Sequence, residues 1–337
     1  MRRATSIPVL FAILLTGCAG GQRWCEPCAS ITNTPVGAPR PTPPNDSRTA
    51  PTPPARAYAL YDGKSGAATS LETFLAASKD ADVVAFGELH GHPVGAEMEL
   101  ATLQGMAAGS RPVALAMEFF ERDVQGALDD YLASRTTEAE FLKIARQGPA
   151  YPTTHRPLIE FAKAHRVAVL AANAPRRLVT EYRKGEKTYT DYLAGLPATD
   201  RGFLPAETSV ATGPYLDRFT KLMGGDRGSK LIKAQSLWDD AMADVIASYR
   251  ASHPDARVML VVGGFHVAAR LGTISKFSAR RPNDRVRLLV MTQGEPQALA
   301  FDPDDRDEGD AILTVARVAA PSAPEIAPTP TPTRSQP

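Results

Sequence analysis

Apolar runs of strand length recur along the chain at 82–86, 112–117, 167–171, 258–262, 285–291 and 311–316, with a weaker one at 57–61. Helical periodicity separates most of them, at 95–108, 121–133, 137–146, 156–166, 175–184 and 229–252. Runs such as Val258-Met259-Leu260-Val261-Val262 are apolar throughout instead of alternating with polar residues. A strand of that kind needs cover on both faces. The order of elements therefore predicts an α/β fold, a mainly parallel sheet with helices on both faces. The stretch 178–228 has no strand run and is rich in Tyr, Gly and Pro. It reads as a helical insert near the carboxyl edge of the strands.

The residues just after each run carry the chemistry. Gly87-Glu88-Leu89-His90 comes after the run at 82–86, and Gly263-Gly264-Phe265-His266 comes after the run at 258–262, so the form G-x-x-H occurs twice at predicted strand ends. Glu118-Phe119-Phe120-Glu121 stands after 112–117, and Asn173-Ala174-Pro175-Arg176-Arg177 after 167–171. In open α/β sheets ligands bind at the carboxyl ends of the strands. If these strands are neighbours, Glu88, His90, Glu118, His266 and an arginine meet at one cleft. Such a buried polar set must be mutually satisfied.

Pro175 suits the first turn of a helix. Arg176 and Arg177 then stand at that helix's positive end, where a cation is disfavoured without an anionic partner; Glu88, Glu118 or a ligand carboxylate would serve. In the helix at 229–252, Leu231, Trp238, Met242, Val245 and Tyr249 share one face, with Gln235 inside it, Asp239 at its edge and Asp240 opposite. Asn173, Arg176, Gln235 and Asp239 are thus candidate ligand-binding residues, Gln235 and Asp239 having capping or water-bridging as their alternative. His92 either joins His90 or sits on a surface loop. His155 reads as part of a helix-entry loop, while His165 and His253 lie near helix C-termini, where a cation is favoured. Phe119 and Phe120 read as core, and the acidic run Asp302 to Asp310 as a solvated loop.

The ends differ in composition. Arg2 and Arg3, the apolar stretch Ile7 to Leu15 and then Leu15-Thr16-Gly17-Cys18 have the layout of a secretory signal. The apolar part is too short for a spanning helix of about 20 residues. The predicted limits are a lipoprotein signal peptide at 1–17, a disordered Pro/Thr-rich linker at 18–56, the α/β domain at 57–317 and a disordered Pro-rich tail at 318–337. Linker and tail hold too few large apolar residues to offset the entropy of ordering. Cys25 and Cys28 suit a small disulfide loop in an exported chain, with a redox or metal role as the alternative. The formal net charge is +1 and no basic stripe is present, so nothing points to nucleic acid.

With the lipobox-like Leu-Thr-Gly-Cys18, the segments GELH at 87–90, AMEFF at 116–120, NAPRRLV at 173–179, QSLWDDAMA at 235–243 and GGFHV at 263–267 make the chain similar to the ChaN-like haem-binding uptake lipoproteins, within the wider TIKI and erythromycin-esterase superfamily. The resemblance implies lipidation of Cys18, with Ala19 after it favouring the outer membrane facing the periplasm. It also implies haem held between paired subunits, a tyrosine and a histidine near iron, and a role in haem or iron acquisition. Tyr151, Tyr182, Tyr189, Tyr192 and Tyr215 all fall in or near the insert and none sits in a motif, which leaves the tyrosine open. Three classes of function are in contention. One is a lipid-anchored haem-binding protein, a possible homodimer with haem and membrane as its partners. The alternative is a hydrolase in which Glu88, His90, Glu118 and His266 are catalytic, either binding a divalent metal or using His90 as a metal-free general base. The third is a fold that carries a relic site and is anchored for some interaction through its Pro-rich tail. The residues alone favour the second; the resemblance, with lipidation, favours the first.

Overall fold

The computed structural model describes residues 58–295 and 299–317. The signal peptide, Cys18, Cys25, Cys28, the linker and the tail lie outside the described residues. Seven strands form one sheet: β1 (Tyr58–Asp62), β2 (Val83–Glu88), β3 (Val113–Glu121), β4 (Ala168–Asn173), β5 (Arg257–Gly263), β6 (Val286–Gly294) and β7 (Ala311–Ala316). Their order is β1-β7-β6-β2-β5-β3-β4, parallel except for β1, which runs antiparallel to β7. This is the expected α/β class.

Successive residues of the central strands face opposite sides, which is why their runs are apolar throughout. Val84 and Phe86 of β2, with Met259 and Val261 of β5, face one layer. That layer is built from α1 (Leu71–Ala77), α2 (Pro93–Ala107), α3 (Gln125–Leu132), α4 (Glu138–Ala145) and α5 (Arg156–His165). Val83, Ala85, Val258, Leu260 and Val262 face the other layer, where α10 (Asp226–Ser252) presents Met242, Ala243, Ile246 and Ala247 and α11 (Gly272–Arg280) presents Ile274 and Phe277.

The stretch after β4 forms α6 (Arg176–Lys184), α7 (Tyr189–Ala194), α8 (Ala198–Arg201) and α9 (Gly213–Met223). Tyr182, Tyr189 and Tyr192 pack there with Leu237 and Ala241 of α10. The helix α10 is accordingly buried on more than one side. Asp240 is not a solvent residue opposite the core face: it is buried between Lys276 at 2.5 Å and Arg280 at 2.8 Å. Leu231, Trp238, Val245 and Tyr249 are only partly buried, so the predicted apolar face is offset from the real one. Among the described residues no helix is long and apolar enough to cross a membrane.

The topology creates the crevice. From β2 the chain crosses to β3 and β4, then returns to insert β5 between β2 and β3 before passing to β6 on the far side of β2. Reversal of strand order at this point opens a crevice at the carboxyl edge.

Candidate functional site at the carboxyl edge

A cavity of about 940 Å³ opens at that edge. Glu88 and His90 line it from the end of β2, Glu118 and Phe119 from β3, Tyr151 and His155 from the approach to α5, and Asn173, Arg176 and Arg177 from the end of β4 and the start of α6.

Glu88 is the hub of the near wall. Its Oε1 accepts from His90 Nδ1 at 2.7 Å, and its Oε2 lies 3.5 Å from His155 Nε2. The second contact is at the limit of a hydrogen bond, and His155 Nε2 has no other partner. Burial alone would raise the Glu88 carboxyl; hydrogen bonds from His155 and His90 outweigh it and hold the group well below the usual range. Behind it, Glu99 of α2 is 1% exposed, and burial beside the Glu88 charge pushes its carboxyl well up. Neither Glu99 oxygen has a hydrogen-bond partner among the described residues. The hydrogen bond to Glu88 raises the His90 imidazole, which presents 63% of its side chain to solvent. Phe119 stacks on His155 with centroids 3.7 Å apart and meets His90 edge-on at 5.5 Å. Phe120 lies in the core as expected, but Phe119 is a cavity wall.

Beyond Met117 the register of β3 against β4 shifts, and Glu118 Oε2 accepts the Gly263 N–H of β5 at 2.7 Å. Gly263 has no side chain to hold His90 away: a Cβ there would stand 2.8 Å from His90 Cε1 and 3.4 Å from Glu118 Oε2. The chain then coils at once through a 3₁₀ turn, Gly264–His266, which folds His266 inward. His266 is 8% exposed and donates from Nδ1 to Asp239 Oδ1 at 2.6 Å, with Nε2 at 3.6 Å from Glu118 Oε1. Asp239 also accepts from Thr273 at 2.8 Å and Tyr215 at 2.6 Å, while Gln235 Nε2 donates to Tyr215 Oη at 3.1 Å. Burial alone would lower the His266 imidazole; the charges of Glu118 and Asp239 outweigh it and raise the group to about 9.

The expected cluster is thus divided. Glu88, His90, Glu118, Asn173 and Arg176 line the cavity, whereas His266 stands behind Glu118, Asp239 holds His266, and Gln235 donates to Tyr215 instead of facing the cavity. Among the described residues no group of three or more His, Cys, Asp or Glu side chains is arranged to hold a metal ion. In the candidate set His90, His266, Glu88 and Glu118, Glu88 holds His90 Nδ1, Glu118 accepts the Gly263 N–H and Asp239 holds His266 Nδ1, while His90 Nε2 stays free. Arg177 pairs with Asp200 through both guanidinium arms, so the insert and not Glu88 supplies its partner. His92 is buried at the start of α2, 3.3 Å from the Ala316 carbonyl. His155, Glu99 and Phe119 are the site residues that sequence reasoning missed. The signal for His155 is its place at the N-terminus of the helix before β4, because such helices start at the carboxyl edge of the sheet.

The family profile described as "Haem-binding uptake, Tiki superfamily, ChaN" matches residues 74–277, which hold both G-x-x-H motifs and every strand end that lines the cavity. The chain belongs to this ChaN family. A structure described as cofacial heme binding to ChaN of Campylobacter jejuni superposes with a TM-score of 0.57 at 16% identity, covering 78% of this chain and 98% of that one. The type III effector HopBA1 gives a TM-score of 0.43 at 10% identity over 79% of this chain and 99% of its own. Erythromycin esterase EreC in its open conformation gives 0.38 at 12% identity over 66% and 72%. The likeness to ChaN shows the fold. No match was found among curated proteins.

Proposed function

We propose that this chain is a lipid-anchored haem-binding protein of haem or iron acquisition, with haem seated in the carboxyl-edge cavity. The observation that carries the reading, beside family membership, is an oriented, exposed imidazole at a cavity with planar walls. His90 Nδ1 is committed to Glu88, which fixes the tautomer that leaves the lone pair on Nε2. Phe119, stacked on His155, gives the cavity an aromatic wall, and about 940 Å³ is room enough for a ligand of this size. Haem, if bound, would supply an iron that takes nitrogen or phenolate donors. His90 is the donor we assign. Tyr151 is the tyrosine lining the cavity, but it is 3% exposed and burial raises its phenol, so it keeps its proton. The hydrogen bond to Glu88 raises the His90 imidazole, so His90 would hold an iron only in its neutral form. Lipidation of Cys18 and a place in the outer membrane facing the periplasm belong to the same proposal and rest on the Leu-Thr-Gly-Cys motif. Pairing of two copies is part of it too.

Adding ferric haem to the purified full chain and recording its absorbance tests the reading. A shifted, saturable Soret band that His90→Ala alters is expected; free-haem absorbance in the wild type overturns it. The alternation of carboxylate and imidazole in Glu88–His90, Glu118 and His266–Asp239 favours a second reading, general acid–base hydrolysis. Turnover of ester or peptide substrates that His90→Ala abolishes would establish that reading in its place.

A further inference from the structure

One wall of the cavity is built differently from the others. Glu88, Glu118 and Asn173 stand on strand ends that the sheet ladder fixes. Between α4 and α5 the wall is a strap: Arg146, Gln147, Gly148 and Ala150 line the cavity, and residues 146–150 are exposed or half-buried. Ala145 before them and Tyr151 after them are each 3% exposed, so the strap hangs between two buried anchors. Among the described residues no backbone hydrogen bond joins 146–150 to another element. The Gly148 carbonyl accepts from the Tyr151 N–H at 3.1 Å, and the Ala150 carbonyl from the N–H groups of Thr153 and Thr154 at 3.1 Å each.

Two side chains tie the strap to the fold. Arg146 pairs with Glu121 at 3.0 Å and with Asp123, and Gln147 Nε2 donates to the Phe119 carbonyl at 2.8 Å. All three acceptors stand at the end of β3 or in the turn after it. Arg146 reaches them with φ +54°, a left-handed conformation that costs an arginine free energy. Its side chain is half-exposed, so these pairs are weak and screened by salt. Segments held by so few tertiary bonds open first. The other walls move only by breaking the sheet ladder or the core.

We infer that residues 146–150 form a gate on the cavity, latched to the end of β3 by Arg146 and Gln147, and that release of the latch sets how fast a ligand enters and leaves. The gate serves any bulky ligand of this cavity and goes beyond the haem reading. Because the latch joins protein to protein, breaking it speeds entry and exit alike.

Two measurements on the full chain test the gate. The first needs no ligand: amide hydrogen exchange at Tyr151, Thr153 and Thr154, whose acceptors lie on the strap. Loss of the Arg146 pairs predicts about fivefold faster exchange at these amides in Arg146→Gln, with α4 and α5 unchanged. Arg135→Gln, which breaks an exposed pair with Asp130 outside this cavity, should leave them alone. The second uses ferric haem, followed by stopped-flow absorbance and by transfer to excess apomyoglobin. Arg146→Gln should speed binding and release by the same factor of about five and leave the equilibrium affinity unchanged. Added salt should bring release from the wild type toward the rate of the variant. Unchanged exchange in Arg146→Gln overturns the gate. Faster exchange with unchanged haem rates overturns it too, and so does a loss of affinity without faster association, since the strap is then a contact surface. If the wild type binds no haem, the haem reading falls and the exchange result alone decides the strap.

Discussion

The two G-x-x-H motifs lie side by side and come to opposite ends. Strands β2 and β5 pair in register, with Gly87 beside Val262 and Glu88 beside Gly263, so both motifs leave the sheet at the same level. His90 ends in an open loop before Pro93 starts α2 and shows 63% of its side chain to solvent. His266 is folded back by the 3₁₀ turn at Gly264–His266 into contact with α10 and α11. Each imidazole has one close carboxylate on Nδ1. For His90 that carboxylate orients a free nitrogen; for His266 a second carboxylate, Glu118, closes the far side. The same four-residue form therefore makes a cavity-facing group in one place and a buried imidazole held by carboxylates in the other. The turn after the motif, not the motif, decides which.

The comparison breaks most directly in unfolding experiments. His266→Ala leaves Asp239 buried with no cation beside it, and loss of one partner from a buried ion pair costs about 3–5 kcal/mol. His90→Ala removes a largely exposed imidazole, and exposed pairs contribute about 0–1 kcal/mol. Urea unfolding of the two variants should show a large loss for the first and a small one for the second. Equal losses would mean that the two motifs play one structural role.

That difference was not legible in the sequence, although the strands were. All seven strands fall within a few residues of their apolar runs, because a strand covered on both faces has no polar position to blur it. Two helices escape the periodicity. Behind the Ser70 cap, α1 carries only the short set Leu71, Phe74 and Leu75, and α11 shows only Ile274 and Phe277 as an apolar pair. At the site, strand-end residues could be read because topology sends them to one edge. Glu99 could not: a glutamate inside a helix reads as solvated, and only the approach of Glu88 makes it a buried neutral acid. The inward turn of His266 depends on a close approach in which Gly272, at φ +50°, leaves room for the His266 carbonyl; a Cβ there would stand 2.5 Å from that oxygen.

The pH dependence of stability sharpens the contrast. His266 folds with its pKa raised from 6.5 to about 9, so the native state binds the extra proton. Its contribution is complete below pH about 6.5 and is lost as pH rises through about 9, a change of at most about 3 kcal/mol. Glu99 acts with the same sign over a lower window: unfolded it ionises above its usual value, folded it keeps its proton, so stability declines as pH rises from that value. Stability should therefore fall steadily from mildly acidic to alkaline pH. Glu99→Gln should flatten the lower part of the slope and His266→Gln the upper part. A wild-type curve that is flat or rises from pH 6 to 9 contradicts both assignments.

The smallest effect concerns the gap between the motifs. Gly263 has φ −54°, which any residue accepts, so alanine costs nothing in the backbone. Its methyl group would meet the Cε1 of His90 at 2.8 Å and Nε2 at 3.0 Å. His90 is exposed and free to swing aside, so stability should change by less than about 1 kcal/mol. The swing would take Nε2 from the place proposed for its contact with haem and strain the bond from Nδ1 to Glu88. Haem affinity should then fall about tenfold, the cost of one weakened directional contact. The expected pattern for Gly263→Ala is thus the reverse of that for His266→Ala, an unchanged unfolding midpoint with a weakened Soret titration. If Gly263→Ala instead unfolds the domain and leaves haem affinity intact, the close approach of the two motifs is packing, and His90 does not hold the iron.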